Sequence, residues 1–259
     1  MRSAPQAVFA AGVKPLARRP EEALQIEVAV AKLPKYANDE SGDTVEVTER
    51  PHGGLSVVLA DGQGSGRAAK SLSNLVVKKA INLLADGTRD GAAARAVHDF
   101  LYAYRHGQVS SELAIISADL TTHSLVVSRN THCPAVLAPG SQGAVECWDE
   151  PASPIGLYPN TKPRIRELPV TGGTTALVYS DGIHDAGQRT GRRFDAVATV
   201  AALIACSASA QELADALLAG ALAADDGRPA DDMTVVAVAV RAGASPNGAR
   251  RLLVHFPLP

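Results

Sequence analysis

The chain has 259 residues, of which 46% are hydrophobic, so it can bury a substantial core and is not a disordered protein. Its 25 basic and 27 acidic residues give a formal net charge of −2, which argues against nonspecific binding to nucleic acid or to an anionic membrane. The longest nearly apolar stretch, Ala196 to Ala205, is far shorter than the roughly 18 residues of a membrane-spanning helix.

Three widely spaced cysteines, Cys133, Cys147 and Cys206, follow no CxxC pattern, so they indicate neither a disulfide framework nor a thiolate zinc site. This cysteine usage favours a reducing, cytoplasmic location. Residues 1–22 are too weakly patterned for a secretory signal, and we interpret them as a flexible tail, with a targeting peptide as the alternative. The sequence predicts one folded domain over residues 23–242 and a C-terminal tail over residues 243–259.

The first predicted elements are strands. From Leu24 the sequence LQIEVAVAK places Ile26, Val28 and Val30 two residues apart, which predicts a strand with one buried face. The run LSVVLA, which begins at Leu55, is continuously apolar and stops at an Asp-Gly dipeptide. This pattern predicts a strand that is buried on both faces.

Two helices follow. Apolar residues between Leu72 and Leu84 recur every three or four positions, which predicts an amphipathic helix that ends at Gly87. A second helix is predicted from about Ala92 to Arg105, with Gly107 just past its end. Both helices need a sheet against which to bury their apolar faces.

The middle of the chain contains short apolar or alternating runs with turn residues between them. These predicted strands are Leu113–Ala118, Leu125–Ser128, Ala135–Ala138, Ala144–Trp148, Ile165–Val170 and Ala176–Ser180. The first four indicate an antiparallel meander.

A second pair of helices and a final strand complete the pattern. Ala196–Ala205 is apolar almost all round, which predicts a buried helix. Ser209 and Glu212 form a capping box for a helix that continues through Leu222, and Met233–Val240 predicts the last strand. Because the helices come in pairs and do not alternate singly with strands, the sequence favours an α+β layered sandwich over a doubly wound parallel sheet.

The most informative polar residues are aspartates at predicted strand boundaries. They are Asp43 in SGDTV, Asp61 in LADGQGSG, Asp181 in VYSDGIHD, and Asp231 with Asp232 in PADDMTVV. Each Asp-Gly alone is most simply a turn, because Gly accepts a positive φ. Together, carboxylates on one edge of a sandwich can converge, and they then repel unless a cation neutralises them. Ligation by oxygen alone selects Mg²⁺ or Mn²⁺.

The succession SGD, LADGxGxG before a helix, YSDG and DDMTVV resembles the metal-dependent protein phosphatases (PPM family), specifically the SpoIIE-like branch of bacterial serine phosphatases. The stretches SRNTHCPAVL and SPIGLYPN strengthen the resemblance, which covers roughly Leu24 to Arg241. It implies a four-layer α-β-β-α sandwich with two Mn²⁺ or Mg²⁺ ions at one edge. It also implies hydrolysis of phosphoserine or phosphothreonine by a hydroxide shared between the two ions.

The same resemblance implies a role for each acidic residue. Asp61 would bridge both ions, with Asp43 and the backbone carbonyl of Gly62 on one of them. Asp181 and Asp231 would hold the other ion, and Asp61 and Asp181 are the implied catalytic carboxylates. Asp232 follows the ligand position of the family's D-[ND]-M-[ST] tetrad, which implies a structural role. No protein nucleophile is required, and the sequence contains no G-x-S-x-G.

One departure concerns the proton for the leaving group. Many relatives carry His in the glycine-rich turn, whereas this chain has Gln63, so the acid must be water on the metal or another side chain. His184 is the nearest candidate in sequence, and Asp185 and His132 lie at positions next to family motifs. A surface or core role for these residues is the simpler interpretation.

Two alternatives to a protein phosphatase remain open at this stage: a module that binds a phosphoprotein without cleaving it, and a hydrolase of small phosphate esters. Retention of all the implied ligand carboxylates argues against the first. The chain looks like a free-standing catalytic domain, and in this it is similar to the RsbX-like phosphatases of bacterial stress signalling. That similarity implies phosphorylated STAS-domain proteins as substrates and partners.

Overall fold

The computed structural model describes residues 24–51, 53–141, 144–243 and 248–255. The predicted N-terminal tail, residues 1–22, lies outside the described residues. In the part of the chain that is described, none of the helices combines the length and the hydropathy that a bilayer span requires.

The described residues form ten strands and five helices. The strands are β1 (Leu24–Leu33), β2 (Thr44–Glu49), β3 (Gly54–Gly62), β4 (Ser111–Asp119), β5 (Ser124–Asn130), β6 (Ala135–Ala138), β7 (Glu146–Trp148), β8 (Arg164–Pro169), β9 (Thr175–Tyr179) and β10 (Met233–Ala242). The helices are α1 (Gly66–Ala85), α2 (Asp90–Arg105), α3 (Asp181–His184), α4 (Ala196–Ala205) and α5 (Ala210–Ala224).

The strands form two antiparallel sheets that pack face to face. The first sheet has the order β1-β10-β9-β6-β7 and the second has the order β2-β3-β4-β5-β8. Helices α4 and α5 cover the first sheet, and α1 and α2 cover the second. The predicted α+β fold class and its α-β-β-α layering are therefore confirmed.

Strand β3 is continuously apolar because it lies in the interior of the second sheet, where both of its faces are covered. Val57 and Leu59 point into the layer between the two sheets, whereas Val58 and Ala60 point into the layer beneath α1 and α2. All four side chains are buried, which confirms the prediction of a strand covered on both faces.

The prediction that β1 buries a single face is wrong. Ala29 and Ala31 are buried beneath α5, while Ile26 and Val28 are partly buried against the opposite sheet. Val30, expected in the core, is 37% exposed. Strand β1 lies at the edge of its sheet, so both of its faces are covered in part and neither is covered completely.

Two further predictions need correction. The four runs from Leu113 to Trp148 do not form one meander, because β4 and β5 belong to the second sheet while β6 and β7 belong to the first. The chain crosses between the sheets at residues 131–134. Helix α4 is not a buried helix: only Val200 is fully buried, because α4 packs beside α5 at the outside of the helical layer. The capping box of Ser209 and Glu212 is confirmed.

Candidate metal centre

Antiparallel pairing brings the aspartates to one edge of the sandwich. Asp43 directly precedes β2 and Asp61 lies at the end of β3, where Thr44 pairs with Ala60. Asp181 follows β9 and Asp231 precedes β10, where Val235 pairs with Tyr179. In an antiparallel pair the start of one strand lies beside the end of its neighbour. Each sheet therefore supplies two carboxylates to the same edge.

Glycines beside three of these aspartates allow the backbone to pack closely around the centre. A Cβ atom at Gly62 would lie 2.2 Å from the carbonyl oxygen of Ala69, and one at Gly182 would lie 2.3 Å from the carbonyl oxygen of Asp232. Gly42 approaches the Ala69 side chain in the same way, at 2.8 Å. None of the three has a positive φ, so close approach, rather than a turn, requires glycine here.

The carboxylates are near enough to disturb one another's ionisation. Burial, followed by the negative charges of Asp43 and Asp181, raises the pKa of Asp61 to about 9. Burial and the charge of Asp231 raise the pKa of Asp181 to about 7. Burial also raises the pKa of Asp43 to about 6. The protein alone therefore does not stabilise the full negative charge of this cluster.

Asp43 has one carboxylate oxygen committed and one free of hydrogen bonds. The hydroxyl of Thr234 donates to Asp43 Oδ2 at 2.5 Å, whereas the buried Oδ1 atom has no hydrogen-bond partner. Lys70 and Lys32 donate to the backbone carbonyl of Asp43, not to its carboxylate. A buried, unpartnered carboxylate oxygen is costly unless a cation binds it.

The two adjacent aspartates before β10 have different environments. Asp232 is buried, and its two carboxylate oxygens accept the backbone N–H groups of Lys35 at 2.8 Å and of Gly42 at 2.7 Å. The side chain of Asp231 is 43% exposed, and Lys35 Nζ lies 3.9 Å from its Oδ2 atom. Asp232 therefore ties the chain before β10 to the chain before β2, while Asp231 remains available to a cation.

Sequence reasoning missed Glu112 as part of this region. It lies directly opposite Asp61 in the pairing of β3 with β4, and its charge contributes to the raised pKa values of Asp61 and Asp181. Burial would raise the pKa of Glu112, but hydrogen bonds from His132 and Thr131 lower it below its usual value. In the sequence, the only sign of its importance is that it is the one charged residue in the otherwise apolar run SELAIISA.

Three different donor side chains lie close together beside the aspartates. Atoms of Glu112, His132 and Cys133 all lie within 4.8 Å of one another, the one such group of three among the described residues. His132 Nδ1 is 2.5 Å from Glu112 Oε1, a direct hydrogen bond that leaves no room for an ion between these atoms. His184, one turn after Asp181, contacts the His132 ring, with 5.6 Å between the ring centroids.

A cleft of about 450 Å³ opens from the aspartate cluster. Its walls include Asp181 and Asp231, together with Asp185, Gln188 and Arg189 from the segment after β9. The described residues thus combine an oxygen-rich centre with an adjoining cleft whose volume is in the range of small-molecule binding sites. The donor set, carboxylates with an orphaned buried oxygen, fits Mg²⁺ or Mn²⁺.

The fold is that of phosphatases of the PP2C type. Solved structures that share it include the PP2C phosphatase domain of SpoIIE and a serine/threonine phosphatase of S. agalactiae. Within that class, the sequence profile of the family described as Stage II sporulation protein E (SpoIIE) matches residues 51–241. The chain therefore belongs to the SpoIIE family, and the resemblance found in its sequence is confirmed. No curated protein sequence matches the chain significantly.

Three solved structures illustrate the likeness. The phosphatase domain of SpoIIE from Bacillus subtilis, with a fragment of its regulatory domain, is 21% identical over 86% of this chain and 66% of that chain, with a TM-score of 0.71. RsbX in complex with magnesium is 15% identical over 84% of this chain and 100% of that chain, with a TM-score of 0.64. The RsbU and RsbW domains of a Mycobacterium tuberculosis protein give 20% identity over 85% and 61%, with a TM-score of 0.65.

Proposed function

We propose that the protein hydrolyses phosphoserine and phosphothreonine in proteins, with two divalent cations, Mg²⁺ or Mn²⁺, held at the edge of the sandwich. The observation that carries this proposal is the convergence of Asp43, Asp61, Asp181 and Asp231 without enough protein-derived positive charge to neutralise them. Family membership supports the reaction type, and the RsbX structure shows magnesium bound to a protein of similar fold.

Each proposed ligand has a distinct position. Asp61, from an interior strand of the second sheet, would hold the cations together with the other carboxylates, whose charges raise its pKa. Asp43 and the carbonyl of Gly62 lie on the side of the second sheet, and Asp181 and Asp231 lie on the side of the first sheet. When bound, the two ions supply an activated water and stabilise negative charge on the phosphate oxygens.

The residues of the chain supply orientation and access. Thr234 and Asp232 join the two sheets: the Thr234 hydroxyl donates to Asp43 Oδ2 at 2.5 Å, and Gly42 N donates to Asp232 Oδ2 at 2.7 Å. Ser180, directly before Asp181, donates to the Asp232 carbonyl at 3.0 Å and accepts a hydrogen bond from Thr234 N at 2.9 Å. These bonds hold Asp43 and Asp181 in fixed relative positions. The adjoining cleft would receive the polypeptide on either side of the phosphorylated residue.

The proposal is tested by phosphopeptide hydrolysis with and without divalent cations. We expect activity with added Mn²⁺ or Mg²⁺, none in chelator, and a loss of at least about 10³-fold in Asp181→Asn, because a metal ligand contributes several kcal/mol to transition-state stabilisation. Asp226→Asn is the matched control, since it removes an equal charge from an exposed carboxylate that pairs with Arg192. Full activity in chelator would contradict the proposal.

The choice of substrate separates the remaining possibilities. Hydrolysis of a small aryl phosphate without any hydrolysis of phosphopeptides would favour an esterase of small phosphates, and cation binding without activity on either would favour a phosphoprotein-binding module. As the finer proposal, phosphorylated STAS-domain proteins are the substrates, by analogy with RsbX-like phosphatases. This finer proposal predicts that purified enzyme dephosphorylates the STAS-domain proteins of its own organism faster than unrelated phosphoproteins.

A further inference from the structure

Hydrolysis of a phosphoserine ester releases a serine alkoxide, which is strongly basic and leaves readily only if it receives a proton. Gln63, in the glycine-rich turn after β3, has no acidic proton to give. A general acid supplied by the protein must therefore be another side chain at the rim of the carboxylate centre, one that carries a transferable proton and is held in a fixed orientation.

His132 meets both requirements. Its Nδ1 atom is 2.5 Å from Glu112 Oε1, and its backbone N–H donates to the same oxygen at 3.2 Å. Glu112 is itself fixed by the hydroxyl of Thr131, which donates to Oε2 at 2.5 Å. The side chain of His132 is 54% exposed, so the far side of the ring can meet a substrate.

The position of this pair follows from the register of the second sheet. Glu112 is the cross-strand neighbour of Asp61, and residues directly opposite in an antiparallel pair have Cβ atoms roughly 5 Å apart. On the other side, the His132 ring contacts His184, which lies one turn after Asp181 on α3. His132 is therefore linked through Glu112 to the strand pair that carries Asp61, and through His184 to the helix that begins at Asp181.

The charges around His132 favour its protonated form. The hydrogen bond and the charge of Glu112 raise the pKa of His132, and Asp181 and Asp185 on α3 act in the same direction. His184 and Cys133 are the other titratable groups that face the ring. Divalent cations would offset the contribution of Asp181, whereas the direct bond to Glu112 would remain.

We propose that His132, oriented by Glu112, is the general acid that protonates the serine or threonine oxygen as the P–O bond breaks. This inference rests on the proposed function. A water molecule adds its oxygen to phosphorus and releases one proton to solvent, while the bonding electron pair of the P–O ester bond passes to the leaving oxygen. That oxygen takes the proton from His132 Nε2, and the neutral imidazole regains a proton from solvent, so the products are inorganic phosphate and the free alcohol.

The neighbouring groups are less suitable as acids. His184 Nε2 lies 4.0 Å from Asp185, too far for a hydrogen bond that would orient its ring. Cys133 lies 4.0 Å from His132 Nε2, but it is buried and its pKa is raised well above the usual range by burial, so its thiol neither reaches the substrate nor gives up its proton. Lys35 Nζ lies 3.9 Å from Asp231, at the opposite side of the cluster from Glu112 and with no carboxylate of the described residues within hydrogen-bond distance to orient it.

The test compares two leaving groups in the presence of saturating Mn²⁺. His132→Gln keeps a donor for Glu112 but has no acidic proton, so kcat for a phosphoserine peptide should fall by about 10²-fold or more, with KM little changed. Turnover of p-nitrophenyl phosphate should be nearly unchanged, because nitrophenolate leaves without protonation. His123→Asn, in the distant turn between β4 and β5, is the control for loss of a histidine and should leave both rates intact.

A second variant tests the positioning role of Glu112. In Glu112→Gln the pKa of His132, followed by NMR of the imidazole in metal-free protein, should fall. Since the acid must be protonated, phosphopeptide turnover should decline as the pH rises through the pKa of His132. In Glu112→Gln this decline should occur at lower pH than in wild type. The nitrophenyl substrate should show no such movement.

Several outcomes would overturn the inference. Equal losses on the two substrates in His132→Gln would indicate damage to the metal centre, and unchanged phosphopeptide turnover would show that His132 gives no proton. Loss confined to the phosphopeptide in His184→Gln but not in His132→Gln would assign the acid to His184. An inactive wild-type enzyme would instead contradict the proposed function, so the two failures are distinguishable.

Discussion

Two groups of buried aspartate in this protein have neighbours of opposite charge. Asp90, at the start of α2, accepts a hydrogen bond from Ser117, and Arg50 NH1 lies 3.5 Å from its Oδ2 atom with both side chains almost fully buried. Asp61, in the second sheet, is surrounded instead by Asp43, Asp181 and Glu112. The fold places a cation beside the first carboxylate, whereas the charges that act most strongly on the second are those of other carboxylates.

This difference separates a structural carboxylate from one that needs an external ligand. Arg50 also donates to Ser56 at 3.0 Å and to the Thr88 carbonyl at 3.1 Å, so the Asp90 network joins β3, β4 and the loop before α2. The partners of Asp90 all come from the protein, although burial still raises its pKa. We propose that the aspartate cluster instead takes its partners from solution, as divalent cations.

Asp61→Asn should have the largest effect on activity. We expect phosphopeptide turnover to fall by at least about 10³-fold, because an ion held by this carboxylate contributes several kcal/mol to the reaction. In chelator near neutral pH, however, the variant should unfold at about the wild-type temperature, because the raised pKa of Asp61 keeps this carboxyl protonated. Above about pH 9 the variant should unfold at a higher temperature than wild type, because Asn cannot ionise. Thermal unfolding in chelator measures this, and a clearly lower midpoint would show that Asp61 is structural.

Asp90→Asn should have the opposite pattern. It leaves the buried Arg50 without a counter-charge, which typically costs about 3–5 kcal/mol of the free energy of unfolding. Metal-dependent turnover per folded molecule should stay close to wild type, since Asp90 lies outside the metal centre. Urea unfolding combined with activity at low denaturant checks both expectations. A variant as stable as wild type would show that the Asp90–Arg50 pair does not stabilise the fold.

The stability of the metal-free protein should also depend on pH. The folded-state pKa values of Asp61, about 9, and Asp181, about 7, lie above the usual value for aspartate. For carboxyls with raised pKa values, the stabilising contribution of the protonated form is complete below about pH 4 and is lost as the pH rises through the folded-state values. In chelator, the unfolding temperature should therefore decline between about pH 5 and pH 9.

Saturating Mg²⁺ or Mn²⁺ should reduce that decline, because bound cations favour the ionised carboxylates. Asp61→Asn should reduce it as well, even without metal. A metal-free protein whose stability rises steadily over the same pH range would contradict the raised pKa values and, with them, the contrast between the two groups of aspartate.

Much of the fold could be predicted because its signals are local. The apolar run of β3, the three- and four-residue spacing in α1 and the capping box of α5 each depend on neighbours within one element. The errors arose where tertiary packing decides. The two-residue alternation of β1 is the same for an edge strand and for a half-buried strand, and nothing in the sequence around residues 131–134 marks the passage from one sheet to the other.

The candidate site shows the same division. Motif order in the sequence named Asp43, Asp61, Gly62, Asp181 and Asp231, and the structure brings these residues to one edge. The reason for glycine at positions 62 and 182 was misjudged, since these residues serve close backbone approach and not a turn. Glu112 escaped notice because its importance depends on its partner across the strand pair, which a single sequence does not reveal.

By itself, the sequence determined the identities and order of the strands, the helices and the acidic residues, because hydrophobic periodicity and short motifs are written along the chain. Only the tertiary structure decided which strands share a sheet, which carboxylates have a cation of their own and which histidine faces the cluster. Those properties depend on atoms that are distant in sequence but adjacent in space. The electrostatic energy of two charges depends on their separation in space, whatever their separation along the chain.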